Sequence, residues 1–376
     1  MIQPAYLIEN NSQFLNMVED LKKNTSLGVD TESNSLFVYH EKVCLIQFST
    51  PQRDYLLDTM KVKNISPLHE IFESHDIEKI FHAAEYDLMC LKRDYGFKFN
   101  NIFDTMHAAK ILDMPAIGLQ SLLSTFFGIM VEKKYQTANW GFRPLSPEMQ
   151  KYAQLDTHYL LRLKKILLSK LIEDNKWDFA REDFLLLANT KPFENHKYLP
   201  FYKMLKGTKF SPLTEAILYE LYLFRENLAE KLDRPPFKIL RNQVILDIVK
   251  IMPQTRNELA QIKGIPKMVL NKNAQNILDI LKISHPSEST YSRKPYPKID
   301  PFTLEKNKAL KDWRKNKGRE LSMESDIILP REYISQISES RLESKDVLKT
   351  IMRNIPHRFQ LFGEEIYSLI KGINQP

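Results

Sequence analysis

At 376 residues, 43% of them apolar, the chain is long enough for two or three domains with sizeable cores. Its only cysteines, Cys44 and Cys90, stand far apart and in no metal-ligand spacing, which excludes a disulfide scaffold or zinc knuckle and fits a reducing, cytoplasmic setting. The net charge of +7 is uneven: residues 1–205 carry 24 Lys and Arg against 26 Asp and Glu, and residues 206–376 carry 30 against 21.

Taken in order, Tyr6 to Ile8 reads as a short strand, and Asn11 or Ser12 can cap a helix whose Phe14, Leu15, Val18 and Leu21 share one face. Leu27 to Glu32 reads as a strand ending in acid. Strand side chains alternate between faces, so Gly28, Asp30 and Glu32 point one way while Leu27, Val29 and Thr31 point the other. Val43 to Phe48 and Asp54 to Leu57 are further strands. Pro67 to Phe72 is a helix, Lys79 to Phe81 a strand, Ala83 to Tyr95 a helix, Asn101 to Phe103 a strand, and Asp104 to Leu112 a helix. Later segments are helical almost throughout, an order that fits an α/β or α+β domain followed by all-helical modules. Met1 to Asn10 lacks the basic segment and apolar run of a secretion signal, and no stretch is apolar enough to span a bilayer, so no membrane partner is expected.

Three acid clusters punctuate this order. Asp30 and Glu32 place two carboxylates on one face of a strand, where like charges repel unless a cation or water neutralises them. The segment from His82 to Asp87 opens a helix, and the helix dipole alone explains an acid at Glu85 or Asp87. Ser146 and Pro147 begin a long helix whose Met149, Tyr152, Ala153, Leu160, Leu163 and Leu167 form the inward face. Asp156 lies on that face, one turn beyond Tyr152, and a carboxylate among core positions is costly unless paired or bound to a metal. Asp104 reads as the N-cap of the helix it opens, and Arg143 as either a phosphate contact or a structural ion pair. No glycine-rich phosphate loop is present, no histidine pair stands at helical metal spacing, and no Gly-x-Ser-x-Gly elbow occurs. Nucleotide-driven motors and serine-type acyl chemistry are therefore not expected.

Asp30-x-Glu32, an Asp inside the His82 to Leu88 segment, and Tyr152-x-x-x-Asp156 resemble, in order, the three motifs of the DEDD exonucleases in their tyrosine-bearing branch. Trp140-Gly-Phe-Arg143-Pro-Leu145 is similar to the approach to the third motif in the ribonuclease D family. Lys151, rather than a histidine, precedes Tyr152, so the histidine-bearing branch does not fit. The resemblance implies a ribonuclease H-like mixed sheet and removal of nucleotides from a 3′ end. It also implies Asp30, Glu32, Asp87 and Asp156 as ligands of two Mg²⁺ or Mn²⁺ ions, with Tyr152 orienting the attacking water. Such a pair of hard cations, held by carboxylate oxygens, clamps the attacking and leaving oxygens of a phosphodiester.

The helical half repeats itself at an offset of 89 residues: Phe224-Arg225 with Trp313-Arg314, Leu232 with Leu321, Ile239-Leu240 with Ile328-Leu329, Leu259 with Leu348, Ile262 with Ile351, and Ile277 with Ile366. Arg234-Pro-Pro-Phe237 followed by Ile239-Leu240 and Leu246 resembles the HRDC domain, and the second copy is a divergent version of it. The expected layout is an exonuclease domain over residues 1–205, a first HRDC-like domain over 206–285, a linker over 286–299 and a second HRDC-like domain over 300–376. Seven basic residues between Lys306 and Arg319 surround Trp313, which the repeat places at a core position, leaving the lysines as phosphate contacts. The charge split suggests a phosphate-rich partner, and the resemblance implies RNA with a free 3′ end, such as tRNA precursors, acted on by a monomer. A DNA 3′ exonuclease and a non-catalytic nucleic-acid-binding scaffold are the rival readings.

Overall fold

The structure, a computed structural model, describes residues 2–130, 133–192, 201, 204–205, 210–283, 285 and 300–373. The first domain is built on a mixed six-stranded sheet. Its strands are β1 (Tyr6–Ile8), β2 (Ser26–Ser33), β3 (Val43–Ser49), β4 (Asp54–Asp58), β5 (Glu78–Phe81) and β6 (Ile102–Asp104), in the order β1-β4-β3-β2-β5-β6. β1 runs parallel to β4, β5 parallel to both β2 and β6, and β3 antiparallel to β4. Every residue of β3 and β4 is buried, the pattern of strands covered on both faces: Val43–Ile46 and Tyr55–Leu57 supply apolar runs, and Gln47, Ser49, Asp54 and Asp58 are buried beside them.

The helices of this domain are α1 (Asn11–Leu21), α2 (Leu68–Glu73), α3 (Glu85–Tyr95), α4 (Thr105–Ile111), α5 (Leu119–Phe127), α6 (Pro147–His158), α7 (Leu160–Glu173) and α8 (Trp177–Ala188). Asn10, one residue earlier than the sequence suggests, caps α1 by accepting the Gln13 amide at 3.0 Å. The long helix expected from Ser146 is interrupted at Tyr159. Its first part, α6, is tied to the sheet by polar side chains: Thr157 Oγ1 lies 2.7 Å from Ser49 Oγ, and Gln154 and His158 bond to Asp54 at 2.6 and 2.7 Å. Its second part, α7, buries Leu160, Leu163, Leu167 and Leu171 instead.

The helical half contains α9 (Pro212–Lys231), α10 (Pro236–Ile239), α11 (Asn242–Ile251), α12 (Arg256–Gln261) and α13 (Lys267–Leu281). It then repeats as α14 (Pro301–Glu320), α15 (Ser325–Ile328), α16 (Arg331–Glu339), α17 (Lys345–Ile351) and α18 (Pro356–Ile373). Each helix of the second set starts 89 residues after its counterpart. The same arginine makes the same bond in both copies: Arg225 Nη1 donates to the Leu240 carbonyl at 3.3 Å and Arg314 Nη1 to the Leu329 carbonyl at 2.9 Å. Trp313 is half-buried against Phe362, as the repeat predicts for a core position. The linker expected over residues 286–299 lies outside the described residues.

The chain divides into two compact units. One joins residues 1–32, 43–193 and 297–376; the other joins residues 33–42 to 194–296. In the first, the second helical copy is anchored by Arg358, which is fully buried. Its guanidinium donates to Glu182 at 2.8 Å, Asp183 at 2.7 Å and the Ile327 carbonyl at 2.8 Å. In the second unit, Phe201 is buried against Tyr219 and Tyr222, and the backbone amide of Tyr39 donates to Asp233 at 3.0 Å.

Candidate active site

Strand β2 presents Asp30 and Glu32 toward α6, as the alternation predicts, and α6 answers with Asp156 and Tyr152. The closeness of strand and helix depends on Gly28, on the same face as the two acids. A Cβ there would stand 2.9 Å from the carbonyl oxygen of Thr157, next to Asp156. Only glycine permits that approach, which brings oxygens of Asp30, Glu32 and Asp156 within 4.8 Å of one another.

The third element is α3. Asp87, in its first turn, is buried and accepts a hydrogen bond at Oδ1 from the hydroxyl of Thr31, the residue between the two β2 acids. It is not one of the three converging carboxylates, but its charge acts on all of them. Glu85 is exposed and lines a different groove. Asp104 caps α4 by accepting the Met106 and His107 amides at 2.8 and 2.9 Å, as its sequence position implies. It also accepts the Ala84 amide at 2.6 Å and the Ala83 amide at 3.3 Å, holding the turn into α3 where Ala83 takes a left-handed φ of 62°. Burial pushes the Asp104 carboxyl up, but hydrogen bonds from His107 and these amides outweigh it and hold the group below its ordinary range.

The acids meet in a cavity of about 460 Å³, also lined by His82, Gly118, Gln120, Ser121 and Gln136. Burial, then repulsion from Asp87, Asp156 and Glu32, pushes the Asp30 carboxyl well above the usual range. Glu32 is raised by burial and by Asp156 and Asp87. Asp87 and Asp156 are each pushed up to about 7, chiefly by burial. Clustered carboxylates this reluctant to ionise together are completed by positive charge, and hard divalent cations with a preference for carboxylate oxygen fit that donor set. Tyr152 packs between Trp140 and Tyr135, with ring centroids 6.1 and 6.0 Å away. Burial and the surrounding acids raise its hydroxyl far above the ordinary tyrosine value, so it stays protonated. His82 bonds to Thr105 Oγ1 at 2.9 Å, and burial lowers its pKa to about 4, so it enters the cavity wall neutral.

Arg143 proves structural. It forms a fork with Asp58 at 2.6 and 2.9 Å and donates to the carbonyls of Trp140, Phe142 and Cys44. Sequence reasoning did not foresee the Thr31 to Asp87 bond, the second role of Asp104, or Gln120, Ser121 and Gln136. None of these carries a signal in the local sequence, whereas the close approach at Gly28 did, as a glycine sharing a face with two acids.

The 3′-5′ exonuclease family model matches residues 6–172 and the HRDC domain model residues 214–281. The exosome complex exonuclease RRP6 of Saccharomyces cerevisiae is 35% identical over 263 residues, covering 65% of this chain and 36% of that protein. The chain thus spans about a third of the length of the curated relatives it matches. The catalytic core of RRP6 from Trypanosoma brucei superposes with a TM-score of 0.66 at 28% identity, covering 74% of this chain and 79% of that one. Escherichia coli RNase D shares the fold across 99% of this chain and 100% of its own, with a TM-score of 0.72 at 18% identity. Residues 6–172 are thus similar to the 3′-5′ exonuclease family and residues 214–281 to the HRDC domain, in the order that the sequence motifs imply.

Proposed function

We propose that the protein is a metal-dependent exoribonuclease that removes nucleotides one at a time from the 3′ end of RNA, with structured RNAs such as tRNA precursors as its natural substrates. The observation that carries this reading is the convergence of Asp30, Glu32 and Asp156 from two separate elements on one cavity that also holds Tyr152. Asp30, Glu32 and Asp156 would hold two divalent cations, Mg²⁺ or Mn²⁺, with Asp87 completing the ligand set from α3. Bound there, the cations supply charge neutralisation at the phosphoryl oxygens and a more acidic attacking water. Tyr152, still protonated, hydrogen-bonds that water and sets its line of approach to phosphorus. Neutral His82 and the polar groups of Gln120, Ser121 and Gln136 face the space where the terminal nucleotide sits. The cavity is of the size that takes a small ligand, so a single-stranded end fits where a duplex does not. We further propose that the protein acts in the cytoplasm as a monomer.

The test is a 5′-labelled single-stranded RNA incubated with the protein and Mg²⁺ or Mn²⁺. A ladder of products shortened from the 3′ end is expected, lost in Asp30→Asn and Asp156→Asn proteins that still bind RNA. Full activity of either variant removes the mechanism. A deoxyribo-oligomer of the same sequence degraded faster than the RNA would favour the DNA reading.

A further inference from the structure

The 89-residue repeat allows one helix face to be compared with its own copy. Tyr219, Tyr222, Glu226 and Glu230 of α9 correspond to Lys308, Lys311, Lys315 and Arg319 of α14. At spacings of three and four residues, each set occupies one side of its helix. In α9 most of that side is covered, with Tyr219, Tyr222 and Glu226 buried and Glu230 exposed at its end. Tyr219 is 8% exposed and Tyr222 1%, with Phe201 against both rings at 5.1 and 5.5 Å. The Tyr39 hydroxyl donates to Glu226 at 3.4 Å, and His40 lies 3.7 Å from Glu230. A loop of the chain within residues 33–42 therefore contacts this side within its own unit.

In α14 the same side is bare and its charge is reversed. Lys308, Lys311, Lys315 and Arg319 are all exposed, and none has a hydrogen bond or ion pair among the described residues. The other basic residues of the run are used internally. Lys306 donates to the Ser340 carbonyl at 3.1 Å, Arg314 to the Leu329 carbonyl, and Lys317 pairs with Glu320 at 3.0 Å and Glu365 at 3.1 Å. The four remaining cations climb about 16 Å of helix, at a rise of 1.5 Å per residue. Like charges one turn apart repel, so such a stripe gains most from an elongated polyanion whose condensed counterions it can release.

We propose that this side of α14 binds the sugar-phosphate backbone of single-stranded RNA, the body of the strand whose 3′ end enters the acid-lined cavity. The inference rests on the RNA reading above. Its contacts are to phosphate, so they fix the strand without reading its sequence.

The test compares the full-length protein with a Lys308→Gln, Lys311→Gln, Lys315→Gln, Arg319→Gln variant. A control variant carries Gln at four other exposed lysines: Lys23, Lys63, Lys98 and Lys165. Affinity for a fluorescent single-stranded 20-nucleotide RNA is read by anisotropy in EDTA over a series of salt concentrations, after equal melting temperatures have been checked. Each lost phosphate contact removes about 0.7 from the slope of log K against log salt, so the stripe variant should lose about 3 and the control variant less than 1. An unchanged slope in the stripe variant, or an equal loss in the control, overturns the proposal. Hydrolysis with Mn²⁺ is scored separately. If wild type shortens RNA while the stripe variant binds like wild type, the stripe alone fails; if wild type binds through the stripe but never shortens RNA, the catalytic reading fails.

Discussion

Replacing Gly28 by alanine tests the packing that brings the site together. The added Cβ would sit 2.9 Å from the Thr157 carbonyl oxygen, 3.3 Å from Leu161 Cδ1 and 3.4 Å from Leu160 Cβ. The nearest neighbour is backbone and cannot rotate away, so α6 must withdraw from β2 by about half an ångström to restore ordinary contact. Overpacking of this kind costs about 1–3 kcal/mol. The same shift carries Asp156 and Tyr152 away from Asp30 and Glu32. A displacement of 1 Å in a reacting site is worth about 10²-fold in rate, so half of that predicts roughly a tenfold loss of turnover. Urea unfolding gives the first quantity and single-turnover hydrolysis of 3′-labelled RNA the second. A Gly28→Ala protein with wild-type stability and rate would refute the close-approach argument. Lost stability with an unchanged rate would show that the spacing of strand and helix does not set the site.

Arg358→Met should destabilise the protein by about 3–5 kcal/mol, because it leaves Glu182 and Asp183 buried without their cation. Adding Glu182→Gln and Asp183→Asn should restore part of that loss in urea unfolding, and no restoration would contradict the ion-pair account. Removing residues 286–376 strips the same cation, so weaker RNA binding by such a truncation has to be judged beside its unfolding curve. Tyr152→Phe should slow turnover by about 10²-fold with an unchanged melting temperature, since in the proposed mechanism the hydroxyl serves the reaction while the ring supplies the packing. In EDTA, Asp156 titrates at about 7 in the folded protein against about 3.9 unfolded, so the native state holds the extra proton in that interval. Its contribution to stability is present below pH 4 and lost as pH rises through 7. Asp156→Asn should therefore gain on wild type across that window in urea unfolding, and a constant difference between the two would contradict the assignment.

Much of the site was legible because its chemistry offends local rules. Two acids on one strand face, and Asp156 among the apolar positions of a helix, both need a compensating charge, and period-2 and period-3.6 patterns place them without any knowledge of the fold. The sheet's composition was readable from β3 and β4, whose apolar runs are unambiguous, but its order was not, since pairing is decided by contacts between distant segments. The break at Tyr159 escaped for a similar reason: nothing in the local sequence announces that Ser49 and Asp54 will hold α6 while α7 turns to its own core. The repeat foretold helix positions in the second copy from the first. It gave no sign that Arg358 would join that copy to α8, because the partners of a buried guanidinium lie 175 and 176 positions away in sequence.

The central claim is that carboxylates of β2 and α6, supported by α3, hold a pair of divalent cations. Anomalous diffraction from a crystal soaked in Mn²⁺ tests it directly. Two peaks within coordination distance of Asp30, Glu32 and Asp156 are predicted, both lost in Asp30→Asn crystals. A cavity without manganese at saturating concentration, with the carboxylates as close as they stand here, would contradict it.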